Sequence, residues 1–155
     1  MLGDDPLAPH AVPFARLMFG AHPDWRPLAQ EREGGAAFEL SVPSPADPDV
    51  QLWLSTEDDE LTVGFADWHA HFGWSDVPHE QSAREAFELI ERLVTDAEGV
   101  QSFYGDAPGS TWLGSRLVSS TEGLLDGAEE YRARGVTFTR RRSWLGSLNA
   151  DVRLD

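Results

Sequence analysis

The sequence predicts an α+β domain, with an antiparallel sheet of about five to six strands, one long amphipathic helix and a short N-terminal helix. Several short segments alternate apolar and polar residues, which is the period of a half-buried strand. One later segment repeats apolar residues every three or four positions, so the long helix is predicted over about residues 79–97, packed on one face of the sheet. The 155 residues are 41% hydrophobic and include 8 Phe and 6 Trp, which is enough apolar surface for a folded core.

The length predicts a single domain over residues 1–155. Pro6, Pro9 and Pro13 interrupt the first segment, so residues 1–13 are predicted to be a loose leader. Phe14, Leu17 and Met18 then stand at helical spacing before a glycine, which predicts the short helix.

Three strands are predicted to follow, over residues 38–42, 50–55 and 61–74. A Pro-rich turn separates the first two, and the polar run from Thr56 to Glu60 separates the second from the third. Short turns cannot supply the crossovers that parallel strands require. The segments therefore predict an antiparallel meander that contains a β-hairpin with an acidic tip.

The long helix has the clearest pattern in the chain. Asp76 or Ser75 can cap it, Pro78 fits its first turn, and Gly99 is predicted to end it. Its apolar stripe comprises Ala83, Ala86, Phe87, Ile90, Leu93, Val94 and Ala97.

The residue pattern in the last third of the chain predicts further strands of the same sheet. Strands are predicted over 100–104 and 110–119, joined by a turn at 105–109, and a final strand over 136–145. Residues 122–134 are predicted to form a helix or an ordered loop. The pattern Trp-Leu-Gly-Ser occurs at both Trp112 and Trp144, and it is interpreted as two strands with similar packing needs.

The charge and composition exclude several classes of function. A net charge of −15 repels phosphate backbones and anionic lipids, so neither nucleic acid nor a membrane is a predicted partner. The chain has no Cys, which excludes disulfides, thiolate metal sites and a cysteine nucleophile. Asp4 and Asp5 stand where a secretory signal carries positive charge, and this predicts a cytoplasmic protein.

No catalytic or nucleotide-binding motif accompanies these features. The sequence lacks the G-x-S-x-G, H-E-x-x-H and G-x-G-x-x-G patterns, which favours a non-enzymatic protein without a cofactor. Six of its 12 arginines follow Tyr131, so the preceding part is the more acidic one. A basic protein could bind there.

An alternative interpretation assigns metal chemistry to Asp67, His69 and His71. These residues share one face of a strand, where alternate side chains stand about 7 Å apart. Two imidazoles and a carboxylate are suitable ligands for zinc or another divalent metal, which would make the chain a small metal-dependent hydrolase or other enzyme. A catalytic zinc site would also need a third ligand from elsewhere, and the other histidines, His10, His22 and His79, lie in unpatterned or helix-leading segments. The other interpretation is that His69 and His71 are partly buried and hydrogen-bond carboxylates or backbone at the sheet edge.

The aromatic residues indicate a binding surface. Trp53 alternates with Leu52 and Leu54 and therefore points to the opposite face of its strand. Exposed aromatics surrounded by acidic residues have the composition of protein-binding hot spots, unless a second layer of the fold covers them. The predicted partner-binding residues are Trp53, Glu57, Asp58, Asp59, Glu60, Trp68 and Trp74.

The stretch Leu61–Phe72, the amphipathic helix after it and the segment Ser143-Trp-Leu-Gly146 resemble small bacterial immunity-type proteins. These proteins are antidotes that accompany polymorphic or contact-dependent toxins. The resemblance implies a cytoplasmic protein that neutralises a cognate toxin, often a basic nuclease, by covering its active site. An acidic surface is compatible with that role, because it steers association with basic partners. A structural or oligomerising module is a further alternative.

Overall fold

The computed structural model describes residues 6–106 and 109–154, which form an α+β fold with two antiparallel sheets. The α-helices are α1 (Ala11–Ala21), α2 (His79–Val94) and α3 (Ala128–Ala133). The strands are β1 (Gln30–Arg32), β2 (Ala37–Pro43), β3 (Gln51–Ser55), β4 (Leu61–Phe65), β5 (Trp68–Phe72), β6 (Glu98–Tyr104), β7 (Trp112–Ser119), β8 (Phe138–Arg142) and β9 (Ala150–Arg153). No helix in these two ranges is long and apolar enough to cross a bilayer.

The prediction of a single sheet is wrong. The first sheet has the order β1-β2-β3-β4-β5, and the second has the order β7-β6-β8-β9. After α2 the chain does not return to an edge of the first sheet, because β6 pairs with β7 on one side and with β8 on the other. Alternating hydrophobicity identifies strands but not their partners, and β1 and β9 were not predicted.

The described residues divide into two compact units. The first comprises the described residues up to Ser44, with Pro48–Phe65 and His69–Glu91, and the second comprises Pro45–Asp47, Ala66–Trp68 and the residues from Arg92 onward. The first unit therefore contains α1, most of α2 and almost all of the first sheet. The second contains the whole of the second sheet.

The predicted meander and its alternation are confirmed in the first unit. Leu54 pairs with Val63 on β4 and with Leu40 on β2, and all three are at most 2% exposed. Helix α1 covers this side of the sheet, since the Phe14 and Phe19 rings lie 6.4 and 5.5 Å from the Phe38 ring. The opposite side of the sheet carries the polar members of each strand.

The predicted third strand, residues 61–74, is two strands. Ala66 has a φ of 51°, and the chain turns at Ala66 and Asp67. Strand β5 then pairs with β4 at the edge of the sheet. Within β5 the predicted parity holds, since Trp68 and Phe72 are half-buried while His69 and His71 are exposed.

Helices α1 and α2 both differ from their predicted bounds. Helix α1 begins at Ala11, inside the predicted leader, of which residues 1–5 lie outside the described part. Helix α2 ends at Val94 rather than near residue 97, because Asp96 has a φ of 57° and takes the left-handed conformation that ends a helix. Gly99 lies in β6, where a Cβ would come 2.7 Å from the Arg142 carbonyl oxygen.

Asp96 also organises the loop that follows β8. Its carboxylate accepts hydrogen bonds from the Ser143 and Ser147 hydroxyls, at 2.9 and 2.6 Å, and from the Leu145 and Ser147 amides, at 2.7 and 3.0 Å. The second Trp-Leu-Gly-Ser copy is therefore a turn built around a buried carboxylate, not a strand. The first copy lies at the start of β7, as predicted, where the Trp112 indole donates to Ser115 Oγ.

A buried arginine joins the second sheet to the segment that precedes α3. Arg141 is 4% exposed, and its guanidinium donates to the carbonyls of Glu122 and Gly123 and to Gln101 Oε1. Burial, together with the charge of Arg116, lowers the pKa of Arg141. Arg141 is therefore a structural residue, held by neutral carbonyl and amide oxygens.

Candidate functional site

A depression of about 470 Å³ lies on the polar side of the first sheet. Its floor comes from β2, β3 and β4, and its rim comes from the acidic β3–β4 hairpin and from β5. The polar and aromatic lining residues are Gln30, Glu39, Ser41, Trp53, Ser55, Glu57, Asp58, Glu60, Thr62 and His71. This volume lies within the range of small-ligand pockets.

Trp53 forms the aromatic part of the depression. It pairs with Gly64 across the β3–β4 ladder, and a Cβ on Gly64 would overlap the indole. The indole therefore lies directly over the Gly64 backbone. Gly64 and the whole of β4 are buried, while Trp53 is half-buried and its ring lies 5.7 Å from the His69 ring.

The β3–β4 hairpin, predicted from its acidic run, is confirmed as a tight turn. The Glu60 amide donates to the Glu57 carbonyl at 3.3 Å, and Asp58 and Asp59 both have a φ of 57°. Two central residues at positive φ define the turn type whose twist matches that of paired strands. The turn holds the Asp59 carboxylate in solvent, where it is 97% exposed.

The carboxylates around the Trp53 indole differ in whether they form ion pairs. Glu39 forms an ion pair with Arg32, and Glu60 Oε1 lies 2.7 Å from His71 Nδ1. Glu57 accepts a hydrogen bond from the Ser55 hydroxyl at 3.2 Å. Within the described ranges, neither Glu57 nor Asp58 has an arginine partner. No arginine or lysine is among the residues that line the depression.

Four of the seven predicted partner-binding residues line this depression: Trp53, Glu57, Asp58 and Glu60. Asp59 lies beside them in the turn. Trp74 is 68% exposed and Trp68 is half-buried, and neither is among the lining residues. A binding role for Trp68 and Trp74 stays a prediction.

The alternative metal site has the predicted histidine pair but not a ligand cluster. His69 and His71 project from one face of β5, with ring centroids 4.9 Å apart, and His71 Nδ1 also lies 3.0 Å from Thr62 Oγ1. Asp67 accepts a hydrogen bond from the Tyr104 hydroxyl at 2.8 Å; burial and this carboxylate raise the pKa of Tyr104. Among the described residues, no three or more His, Cys, Asp or Glu side chains are grouped to hold a metal.

The histidines considered as further ligands have contacts of their own. His10 Nε2 lies 2.7 Å from the Thr56 carbonyl oxygen. His22 Nε2 lies 2.6 Å from Glu91 Oε1, and the His22 ring stacks on Trp25 at 4.0 Å. The rings of His79 and His10 are 6.2 Å apart.

The sequence interpretation missed the contribution of β2 to the depression. Glu39 pairs with Ser55 on β3 and with Gln30 on β1, so these three side chains form one polar row across the sheet. The alternation of Glu39 with Phe38 and Leu40 already placed it on the polar face. Its position opposite Ser55 follows only from the register of β2 against β3.

No protein-family model, no curated protein and no solved structure matches this chain.

Proposed function

We propose that this chain is a non-enzymatic, cytoplasmic binding protein of the immunity type, which neutralises a cognate basic toxin by covering part of its surface. The observation that carries the proposal is the depression on the first sheet, where the half-buried Trp53 lies among carboxylates of the β3–β4 hairpin. An aromatic anchor with a charged rim is the usual composition of a protein-binding hot spot.

The electrostatics support a basic partner. The net charge is −15, and the hairpin carries carboxylates on four consecutive positions, 57–60, of which Asp58 and Asp59 are exposed. Complementary charge raises association rates by about 10- to 1,000-fold at low salt. A cationic toxin surface would therefore be captured quickly, and like-charged proteins would be repelled.

The proposal is tested by isolating the protein gently from cells that naturally produce it and recording native mass spectra. We expect a second chain in stoichiometric amount. Production of that second chain alone should arrest bacterial growth, and its production together with this protein should restore growth. A growth assay is required because co-isolation alone does not show neutralisation.

A matched pair of variants locates the binding surface. Glu57→Gln/Asp58→Asn/Asp59→Asn removes three charges from the hairpin, and asparagine tolerates the positive φ of the two aspartates. Glu80→Gln/Glu85→Gln/Glu88→Gln removes three charges from exposed positions of α2.

Stopped-flow association at low salt is expected to slow by about tenfold or more for the hairpin variant and to change by less than about twofold for the α2 variant. The proposal is wrong if no growth-arresting partner is found. The proposed surface is wrong if the two variants slow association equally.

A further inference from the structure

We infer that the depression on the first sheet receives an arginine side chain of the partner protein, with its guanidinium stacked on Trp53 and bonded to the hairpin carboxylates. This inference rests on the proposed function and specifies the chemistry that the same surface recognises.

The Trp53 indole lies over the Gly64 backbone, so one side of its ring is packed on the sheet. Trp53 is half-buried and is also among the residues that line the depression. An indole is the best side-chain platform for a cation, and the planar guanidinium stacks on it more completely than an ammonium does.

The charges that line the depression are suited to a cation. Glu57 and Asp58 line the depression and, within the described residues, have no arginine partner. The Glu39 carboxylate beside them is already bonded to Arg32. The depression therefore combines an aromatic face with carboxylate oxygens that are available to a guanidinium donor.

The second sheet shows that this combination binds arginine. The Arg140 guanidinium carbon lies 5.6 Å from the Tyr104 ring centroid and 5.5 Å from that of Phe138. Its Nε lies 3.4 Å from Asp151 Oδ1. There the chain fills the aromatic and acidic environment with its own arginine, whereas around Trp53 no arginine or lysine is among the lining residues.

The choice of arginine over a metal ion follows from the geometry. A divalent cation requires several oxygen ligands that converge on one point, and no such group of three is present among the described side chains. The carboxylates here flank an aromatic surface. That arrangement suits a flat cation with several donors.

The test is a titration of the ¹⁵N-labelled full chain with three peptides, acetyl-Gly-Arg-Gly-amide and its citrulline and lysine counterparts, followed by NMR. Citrulline has nearly the shape of arginine without its charge. The arginine peptide is expected to shift the Trp53 indole and Gly64 amide signals with a Kd on the order of 1–10 mM. The lysine peptide should bind several-fold more weakly and the citrulline peptide should cause no saturable shift.

Two variants provide the controls. Glu57→Gln/Asp58→Asn should weaken binding of the arginine peptide by about tenfold. Glu85→Gln/Glu88→Gln on α2 should leave the affinity for this peptide unchanged. The dispersion of the remaining amide signals reports whether each variant is folded. Equal shifts by the arginine and citrulline peptides, or no saturable shift at Trp53, would overturn the inference.

Failure of the arginine pocket can be distinguished from failure of the proposed function. If a growth-neutralising complex forms but the arginine peptide does not bind, the arginine pocket is wrong and the immunity role stands. If the arginine peptide binds specifically but no growth-arresting partner exists, the pocket stands and the immunity role is wrong.

Discussion

Trp53 and Gly64 face each other across the β3–β4 ladder, and the indole occupies the space that any side chain at position 64 would need. The aromatic platform of the depression therefore depends on the absence of a Cβ on the neighbouring strand. The glycine also lets β4 be buried on both faces, since the indole covers its polar side.

Gly64→Ala should lower the free energy of unfolding by about 1–3 kcal/mol, because the methyl group displaces a packed indole. In a Trp53→Ala background the same substitution should cost nothing or stabilise by a few tenths of a kcal/mol, because alanine is favoured over glycine within a strand. Urea denaturation of the native chain, the two single variants and the double variant measures the coupling. An equal cost in both backgrounds would contradict the packing described for this pair.

Asp96→Asn should lower the free energy of unfolding by about 1–3 kcal/mol, because the amide oxygen is a neutral acceptor and the amide nitrogen cannot accept the hydrogen bonds that the second carboxylate oxygen receives. Asparagine tolerates the positive φ at this position, so the effect reports the loss of the carboxylate and not backbone strain. Urea denaturation at pH 7 is the measurement, with Glu88→Gln, a single exposed charge on α2, as the control. A loss no larger than that of the control would show that the Asp96 carboxylate does not stabilise the 143–147 turn.

The contribution of Asp96 to stability should also disappear in acid. Burial opposes its ionisation, but hydrogen bonds from Ser147, Leu145 and Ser143 outweigh burial and lower its pKa. A carboxyl whose folded pKa lies below its unfolded value of about 3.9 stabilises the fold above that value. The difference in unfolding free energy between the native chain and Asp96→Asn should be constant above about pH 5 and shrink as the pH falls below about 4. A difference that persists unchanged to about pH 2 would contradict the lowered pKa.

Arg141→Met should lower the free energy of unfolding by about 1–3 kcal/mol, because the Gln101 Oε1 atom loses a buried donor. The matched control is Arg134→Met. Arg134 is 71% exposed and pairs with Glu130 in α3, and its loss should change the free energy of unfolding by less than about 0.5 kcal/mol. Thermal or urea denaturation compares the two. Equal effects would mean that Arg141 does not hold the 122–123 segment.

The sequence by itself determined the local features of this protein. The alternation of Leu52, Trp53 and Leu54 places the indole on the polar face, and the acidic run at 57–60 forms the predicted hairpin tip. The apolar stripe of α2 is buried at Ala83, Ala86 and Ile90. These features follow from periods of two and 3.6 residues, which a chain displays without reference to any distant segment.

Only the tertiary structure decided which distant segments meet. It separated the strands into two sheets and placed Glu39 opposite Ser55 to complete the depression. It also placed Asp96, just after α2, where its carboxylate accepts hydrogen bonds from residues about 50 positions later in the chain. Strand partners and hydrogen bonds between remote segments depend on how complete faces pack and on which donors lie within reach, and no local period encodes either property.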